Sequence, residues 1–343
     1  MISGFIDSTY IATSSGLRRI SEITEMDTVY TGKSGASSAS AKLIESVKFK
    51  HVNNSDTSLV SLEDGSSFTA SQNHRILSLT KSGNTTWKRL SDLHPGMAVI
   101  KRIGTGTLTR NYIILDGVKI TENLAYFLGY YFGRGFVSAD GKNLLGWIVD
   151  NRKNELKTKL LRIAQELFPS ASINVTNLPG ENLFVLEGIQ IYHFLVRHGF
   201  CLTGDSFEFP SAILASPASV IGAFVSGFRD AGQSPFDLTS CSGKFIKVLA
   251  ILLISMGIDS KVFHLPGDND NSVHVASVLN EYRSKFNKLT NNHYIYHIRD
   301  TKDIPVVIKA LHYAGKQDVV DLTVNITPSY IANGFIVHNH DMT

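Results

Sequence analysis

Near its end, at 319–339, the chain carries VVDLTVNITPSYIANGFIVHN, a stretch of the same kind as its beginning and unlike most of what lies between. Two β-rich runs, Val319 to Ile326 and Tyr330 to Val337, are joined through Thr327-Pro328, and Asn333-Gly334 interrupts the second. From residue 4 to about 104 the pattern is similar: SLVSLEDGSSFTAS alternates about Asp64-Gly65 and RILSLTKSGNTTWKRL about Gly83, each a hairpin signal. From about 105 to about 305 the period changes. ENLAYFLGYYFGRG, KNELKTKLLRIAQELF, SPASVIGAFVSGFRDAG and GKFIKVLAILLISMGI carry apolar residues at helical spacing and are separated by strand-like pieces. The expectation is multi-domain: an α/β domain set inside an all-β domain whose two ends meet.

The middle segment also repeats its own order of elements. A helix with Gly129 and Gly133 at i, i+4 precedes strands and then the helix LKTKLLRIAQELF; about a hundred residues on, AFVSGFRDAG, with Ala223 and Gly227, precedes KFIKVLAILLISMGI. Two pseudo-symmetric halves follow, and small residues at this spacing let two helix backbones cross closely. Ser216-Pro217 is expected to supply an N-cap and a first-turn proline to the second crossing helix.

Length and charge set limits. At 343 residues, 43% hydrophobic and 18% charged, the chain has material for more than one core. A net charge of +3 tolerates an anionic partner without requiring one. Cys201 and Cys241 stand far apart in apolar sequence, which fits inert core thiols in a reducing, intracellular (cytoplasmic) setting better than a disulfide framework or a metal cluster. The longest apolar run, Val248 to Ile254, is too short to span a bilayer, and the N-terminus lacks a signal pattern; no membrane partner is expected, and a monomer is.

The stretches GFIDSTYIATSSGLRRISEI, GSSFTASQNHRILSL and VVDLTVNITPSYIANGFIVHN resemble those of inteins, protein-splicing elements, and FLGYYFGRG and FVSGFRDAG resemble the paired helix motifs of LAGLIDADG homing endonucleases. Together they span nearly the whole chain in the order of inteins that carry such an insert. The resemblance implies an all-β hedgehog/intein (Hint) splicing domain from 4–104 and 306–339, and an inserted pseudo-two-fold α/β endonuclease domain over 105–305. Residues 1–3 and 340–343 would then be remnants of the flanking host protein, the exteins.

The same resemblance assigns roles. Ser71 and His74, three residues apart, fall where inteins hold a hydroxyl and an imidazole beside the first scissile peptide, to polarise the amide and protonate its leaving nitrogen during an acyl shift. Asp321 falls where an acid lies near the same junction; a carboxylate on an otherwise apolar strand is costly to bury without a partner. Asn339 can attack its own carbonyl with its side-chain nitrogen to form a succinimide, with His338 placed to polarise that carbonyl or protonate the departing amine. No cofactor is implied for splicing.

Two positions depart from the pattern. Gly4 stands where the first nucleophile, Cys or Ser, is expected, and His340 where Cys, Ser or Thr should follow Asn339. Taking Ser3 as the nucleophile would lengthen the usual spacing by one. With the supporting residues kept, the chain reads as a trapped, unspliced precursor, and restoring a nucleophile at both positions should restore splicing. In active endonuclease relatives the last acid of each helix motif holds Mg²⁺ against a DNA phosphate. Those positions are Arg134 and Gly232 here, while Asp230 lies two places early, about 200° round the helix. No bound metal and no double-strand cleavage are therefore expected. Two alternatives stay open: a DNA-binding, maturase-like protein with phosphate contacts from Lys142, Arg152, Lys153, Lys157 and Lys159, and a hedgehog-like autoprocessing domain, which would not need Asn339.

Overall fold

A computed structural model of the chain describes residues 3–32, 44–137, 144–200, 207–267, 272–291 and 301–339. They divide into two compact units, one drawn from Met1–Thr109, Ala250–Val262 and His297–Thr343, the other from Arg110–Leu249 and Phe263–Tyr296.

The first unit is a mostly antiparallel, strongly interconnected sheet. Its backbone is a pair of long antiparallel strands, Ile44–Leu62 and Lys302–Val324, paired from Val47 opposite Val324 to Leu62 opposite Ile308 with shifts of register at 308–310, 313–315 and 323–324. The early part of the second long strand also pairs with Ala98–Ile103. The two predicted hairpins form: Ile44–Leu62 turns through Gly65 into Ser67–Ser71, and Arg75–Leu79 turns through Gly83 into Thr85–Arg89. At the end of the chain Ser329–Ala332 and Phe335–His338 form a third, through Asn333 and Gly334 at φ 48° and 85°, the two positive φ values of a type I′ turn whose twist matches that of the strands. Tyr10–Thr13 joins this terminal hairpin at Ile11 opposite Ala332, and Phe5 bridges to both Ala70 and Val320. Side chains that alternate inward from these strands, among them Phe5, Phe68, Ile76, Leu322, Tyr330 and Val337, form one core.

The sequence placed residues 250–262 with the middle segment; the fold places them in the first unit. Gly104 and Gly106 donate backbone N–H groups to the carbonyls of Ile254 and Ser255 at 2.9 and 2.6 Å, and Val262 N–H donates to Asp64 O at 2.8 Å. The Lys101 ammonium lies 2.6 Å from Asp259 and 2.7 Å from Asp64. Helical periodicity identifies an apolar helix but not the surface that it docks against.

The second unit contains helices α1 (Glu122–Arg134), α2 (Asn154–Leu167), α3 (Ile189–Arg197), α4 (Ser211–Leu214), α5 (Ala218–Ala231), most of α6 (Gly243–Ser255), and α7 (Arg283–Thr290). Strands 135–137 and 144–150 separate α1 from α2, and two more precede α3; strand Asp237–Ser240 separates α5 from α6, and two more precede α7. The repeated order read from the sequence is present. Where α1 and α5 cross, a β-carbon on Gly129 would lie 2.0 Å from Phe224 O, and one on Gly227 would lie 2.0 Å from Tyr126 O. The absent side chains therefore set the helix separation.

Two expectations need correction. Ser216 does not cap α5: the helix begins after Pro217 with no side-chain cap, and the Ser216 hydroxyl donates backwards to Ala212 O at 2.7 Å. Cys241 is exposed, not a core thiol, because it sits in the turn between Asp237–Ser240 and α6; Cys201 lies outside the described residues.

Candidate functional site

Around Gly4 the strands Ser67–Ser71 and Lys302–Val324 meet. Gly4 N–H donates to Ser71 Oγ at 3.0 Å, and Ser71 N–H returns a bond to Gly4 O at 2.9 Å. Ser71 thus grips the peptide unit between Ser3 and Gly4 at its nitrogen and the next one at its oxygen. One residue on, Phe5 exchanges two backbone bonds with Val320, at 2.9 and 2.7 Å. These contacts bring Asp321 beside Ser3 and Gly4.

Asp321 is fully buried. Its carboxylate accepts the Ser3 hydroxyl at 2.5 Å, the Tyr330 hydroxyl at 3.0 Å and the Leu322 N–H at 2.8 Å. Three donors offset the desolvation that a lone buried carboxylate would suffer. Burial, and then the neighbouring Asp321 charge, hold the Tyr330 phenol well above its ordinary range, so Tyr330 stays a donor. The His74 ring is buried too, with Nδ1 3.7 Å from Asp321 Oδ2, Phe5 edge-on at 4.6 Å and Tyr330 at 6.4 Å between ring centres.

Gly4 has φ +145°, and a β-carbon there would lie 2.6 Å from Val320 O. Position 4 therefore lacks both a nucleophile and the room for one in this backbone geometry. The expected restoration of splicing by a nucleophile at positions 4 and 340 therefore carries a condition: the Gly4 backbone has to move away from Val320.

The other candidate end is one strand away. Ile76, two residues after His74, is opposite Val337, and Tyr330 is opposite Val337 on the other side. His338 follows, with Nδ1 2.9 Å from the Asn339 carbonyl oxygen and its ring edge-on to Trp87 at 5.0 Å. In the Nδ1–H tautomer the imidazole donates to that oxygen and makes its carbon more electrophilic. Asn339 N–H is held by Pro328 O at 3.1 Å. His340 lies outside the described residues. Tyr330 and Trp87 went unnoticed in the sequence, where each reads as an ordinary strand aromatic.

At the ends of α1 and α5 the chemistry differs. Arg134 closes α1 and pairs with Glu181 at 3.0 Å. Gly232 follows α5 as its C-cap. Asp230 accepts the Tyr126 hydroxyl at 2.8 Å and two Arg229 nitrogens at 3.0 and 2.8 Å, while Lys153 donates to the Asp230 and Gly232 carbonyls, both at 3.1 Å. A cation at the end of a helix suits its partial negative charge. A divalent metal does not fit this set: Arg134 and Lys153 repel it, Asp230 is already engaged, and among the described residues no three His, Cys, Asp or Glu side chains group to hold one. Three further basic candidates are also engaged. Arg152 pairs with Asp150 at 2.7 Å, Lys157 donates to Asn182 at 3.2 Å, and Lys159 lies 3.4 Å over the Tyr126 ring, where burial lowers its pKa. Lys142 lies outside the described residues.

No protein-family model matches the chain. The replication factor C small subunit of Methanocaldococcus jannaschii is 22% identical over 214 residues, which cover 60% of this chain and 11% of that protein. The chain therefore spans about a tenth of the length of this curated relative. Among solved structures it is similar to variants of the homing endonuclease I-DmoI, with 12% identity and a TM-score of 0.40 over 52% of this chain and 99% of the other. It is also similar to the gp41-1 intein, at 22% identity and TM-score 0.22 over 29% and 67%, and to an Ssp DnaB mini-intein variant, at 9% and 0.35 over 100% and 98%. The solved structures named here are thus of two kinds, inteins and a homing endonuclease.

Proposed function

We propose that this chain is an intein carrying an inserted LAGLIDADG-type domain, that its C-terminal junction is the reactive one, and that its N-terminal junction is inert. The observation that carries the reading is the pair His338 and Asn339: an imidazole nitrogen 2.9 Å from the carbonyl that the asparagine side chain would attack. In that step Asn339 Nδ2 bonds to the Asn339 carbonyl carbon, the bond to residue 340 breaks, and the amine departs with a proton while a succinimide remains. His338 stabilises the oxyanion as charge develops. Ser71 bonds to the Gly4 N–H, Asp321 to the Ser3 hydroxyl, and His74 lies 3.7 Å from Asp321, which supports a site once suited to an acyl shift; Gly4 offers no atom to receive the acyl group, so ligation of the flanking segments does not occur. The metal-unfriendly ends of α1 and α5 support a second element of the reading: the inserted domain does not cut duplex DNA.

Reporter proteins fused to both ends, followed by mass spectrometry, test the first part. The expected products are unligated, with slow release after Asn339 that Asn339→Ala abolishes; ligated reporters from the unaltered chain would overturn the assignment of Gly4. For the second part, the purified chain is incubated with duplex DNA carrying the uninterrupted host gene in Mg²⁺ or Mn²⁺. No linearisation is expected, and metal-dependent cutting insensitive to Arg134→Ala would show that other acids hold the metal.

A further inference from the structure

The loop that precedes the terminal hairpin, residues 325–328, is mostly exposed, and Ile326 is 82% exposed. Apolar burial therefore does not hold it. A single buried carboxylate does: Glu45, 8% exposed, at the start of the long strand Ile44–Leu62. Its Oε2 accepts the backbone N–H groups of Ile326 and Thr327, each at 2.8 Å, and its Oε1 accepts the Thr327 hydroxyl. Charge-assisted bonds of this kind are roughly twice as strong as neutral ones. The next residue is Pro328, whose ring fixes φ, so holding Thr327 also places the Pro328 carbonyl carbon, and the Ser329 anchor on its other side orients the oxygen. That carbonyl accepts the Asn339 N–H at 3.1 Å. On its far side the loop is tied down by Ser329, whose hydroxyl donates to Gly32 O at 2.6 Å and accepts Gly32 N–H at 3.1 Å.

We infer that Glu45 is a positioning residue for Asn339, acting through Thr327 and the Pro328 carbonyl; the inference rests on the reading of Asn339 as the cyclising residue. Succinimide formation needs the side-chain nitrogen within near-attack distance of the carbonyl carbon of the same residue, which depends on the backbone torsions at Asn339. Pro328 fixes the N–H side of that residue and His338 the carbonyl side. Without Glu45 the loop is anchored only on the Ser329 side, and the bond from Asn339 to the Pro328 carbonyl loses its support from Thr327.

The test uses the full chain with a reporter fused after Thr343, as Glu45→Ala, Glu45→Gln, Thr327→Val and the unaltered form. Two quantities are measured: the rate of release after Asn339, and hydrogen exchange at the Asn339 amide. Glu45→Ala is expected to slow release by about tenfold or more, within the range that misplacement of reacting groups produces, and to accelerate exchange at Asn339. Glu45→Gln, whose amide oxygen still accepts both N–H groups, should keep both within about threefold of the unaltered chain, and Thr327→Val, which loses the hydroxyl bond alone, should fall between. Unchanged release and exchange in Glu45→Ala would overturn the inference, as would slowed release with unchanged exchange. If Glu45→Ala does not fold, equal behaviour of Thr327→Val and the unaltered chain overturns it instead. A chain that never releases the reporter in any form refutes the cyclisation reading, while amide exchange still decides whether Glu45 holds Asn339.

Discussion

The Tyr330 hydroxyl donates to Asp321 at 3.0 Å across nine residues of sequence, inside a core from which both side chains exclude water. The bond ties the terminal hairpin to the residues around Gly4. Tyr330→Phe is expected to destabilise the first unit by about 1.5–3 kcal/mol, the usual worth of a hydrogen bond to a charged group, as measured by denaturant unfolding. No change in unfolding midpoint would mean that Ser3 and Leu322 alone satisfy the carboxylate.

The same burial gives a pH dependence. Burial and the Asp321 charge hold the Tyr330 phenol well above the ordinary tyrosine range, and burial pushes Tyr30 up to about 12. A raised folded-state pKa means that the unfolded chain loses its phenolic protons first. The stability from both groups is therefore complete below about pH 10 and falls as pH rises toward 12 and beyond. Tyr30→Phe should flatten the decline between those values in unfolding experiments; an unchanged slope would place its cause elsewhere.

Gly4→Cys brings a nucleophile and a strain together. Backbone held in a sparsely populated region costs a side-chain-bearing residue of order 1–3 kcal/mol, and the 2.6 Å approach to Val320 O adds to it. With His340→Ser, the variant is expected to unfold at a lower temperature than the unaltered chain while gaining a hydroxylamine-sensitive thioester. A variant as stable as its parent would show that the backbone around Gly4 yields freely.

Lys101 is buried between Asp64 and Asp259. Burial raises the pKa of Asp259, and Lys101 opposes that shift. Lys101→Met leaves two carboxylates without their cation and should cost about 3–5 kcal/mol, the range for breaking a buried pair. Adding Asp64→Asn and Asp259→Asn should recover much of it. Equal stability of the single and triple variants would argue against the pair as the cause.

Gly129→Ala puts a methyl group 2.0 Å from the Phe224 carbonyl. Backbone on the facing helix cannot rotate away as a side chain does, so α1 and α5 must separate, at a cost of about 1–3 kcal/mol or more. Limited proteolysis should cut the second unit faster in this variant, and equal protection would show that the crossing has slack.

The kinds of element and their turns were legible in the sequence because they are local. The Asp64-Gly65 and Gly83 hairpins follow from period-two alternation and from residues that tolerate positive φ, and the crossing of α1 with α5 from small residues one turn apart, whereas Tyr330 to Val337, read as one interrupted run, folds as part of a hairpin turning at Asn333-Gly334. Ser71, His74, Asp321, His338 and Asn339 were found through a resemblance of short stretches. Only the tertiary structure decided what those groups touch: the Ser3 hydroxyl meets Asp321 across 318 residues, Glu45 holds Ile326 and Thr327 across 281 and 282, and residues 250–262 join the first unit. It likewise decided that Gly4 has no room for a side chain and that Asp230 is already bonded to Tyr126 and Arg229. Periodicity and turn chemistry report torsions along a few neighbouring residues, whereas the partners of a buried carboxylate and the space beside a glycine depend on which distant strands pack together.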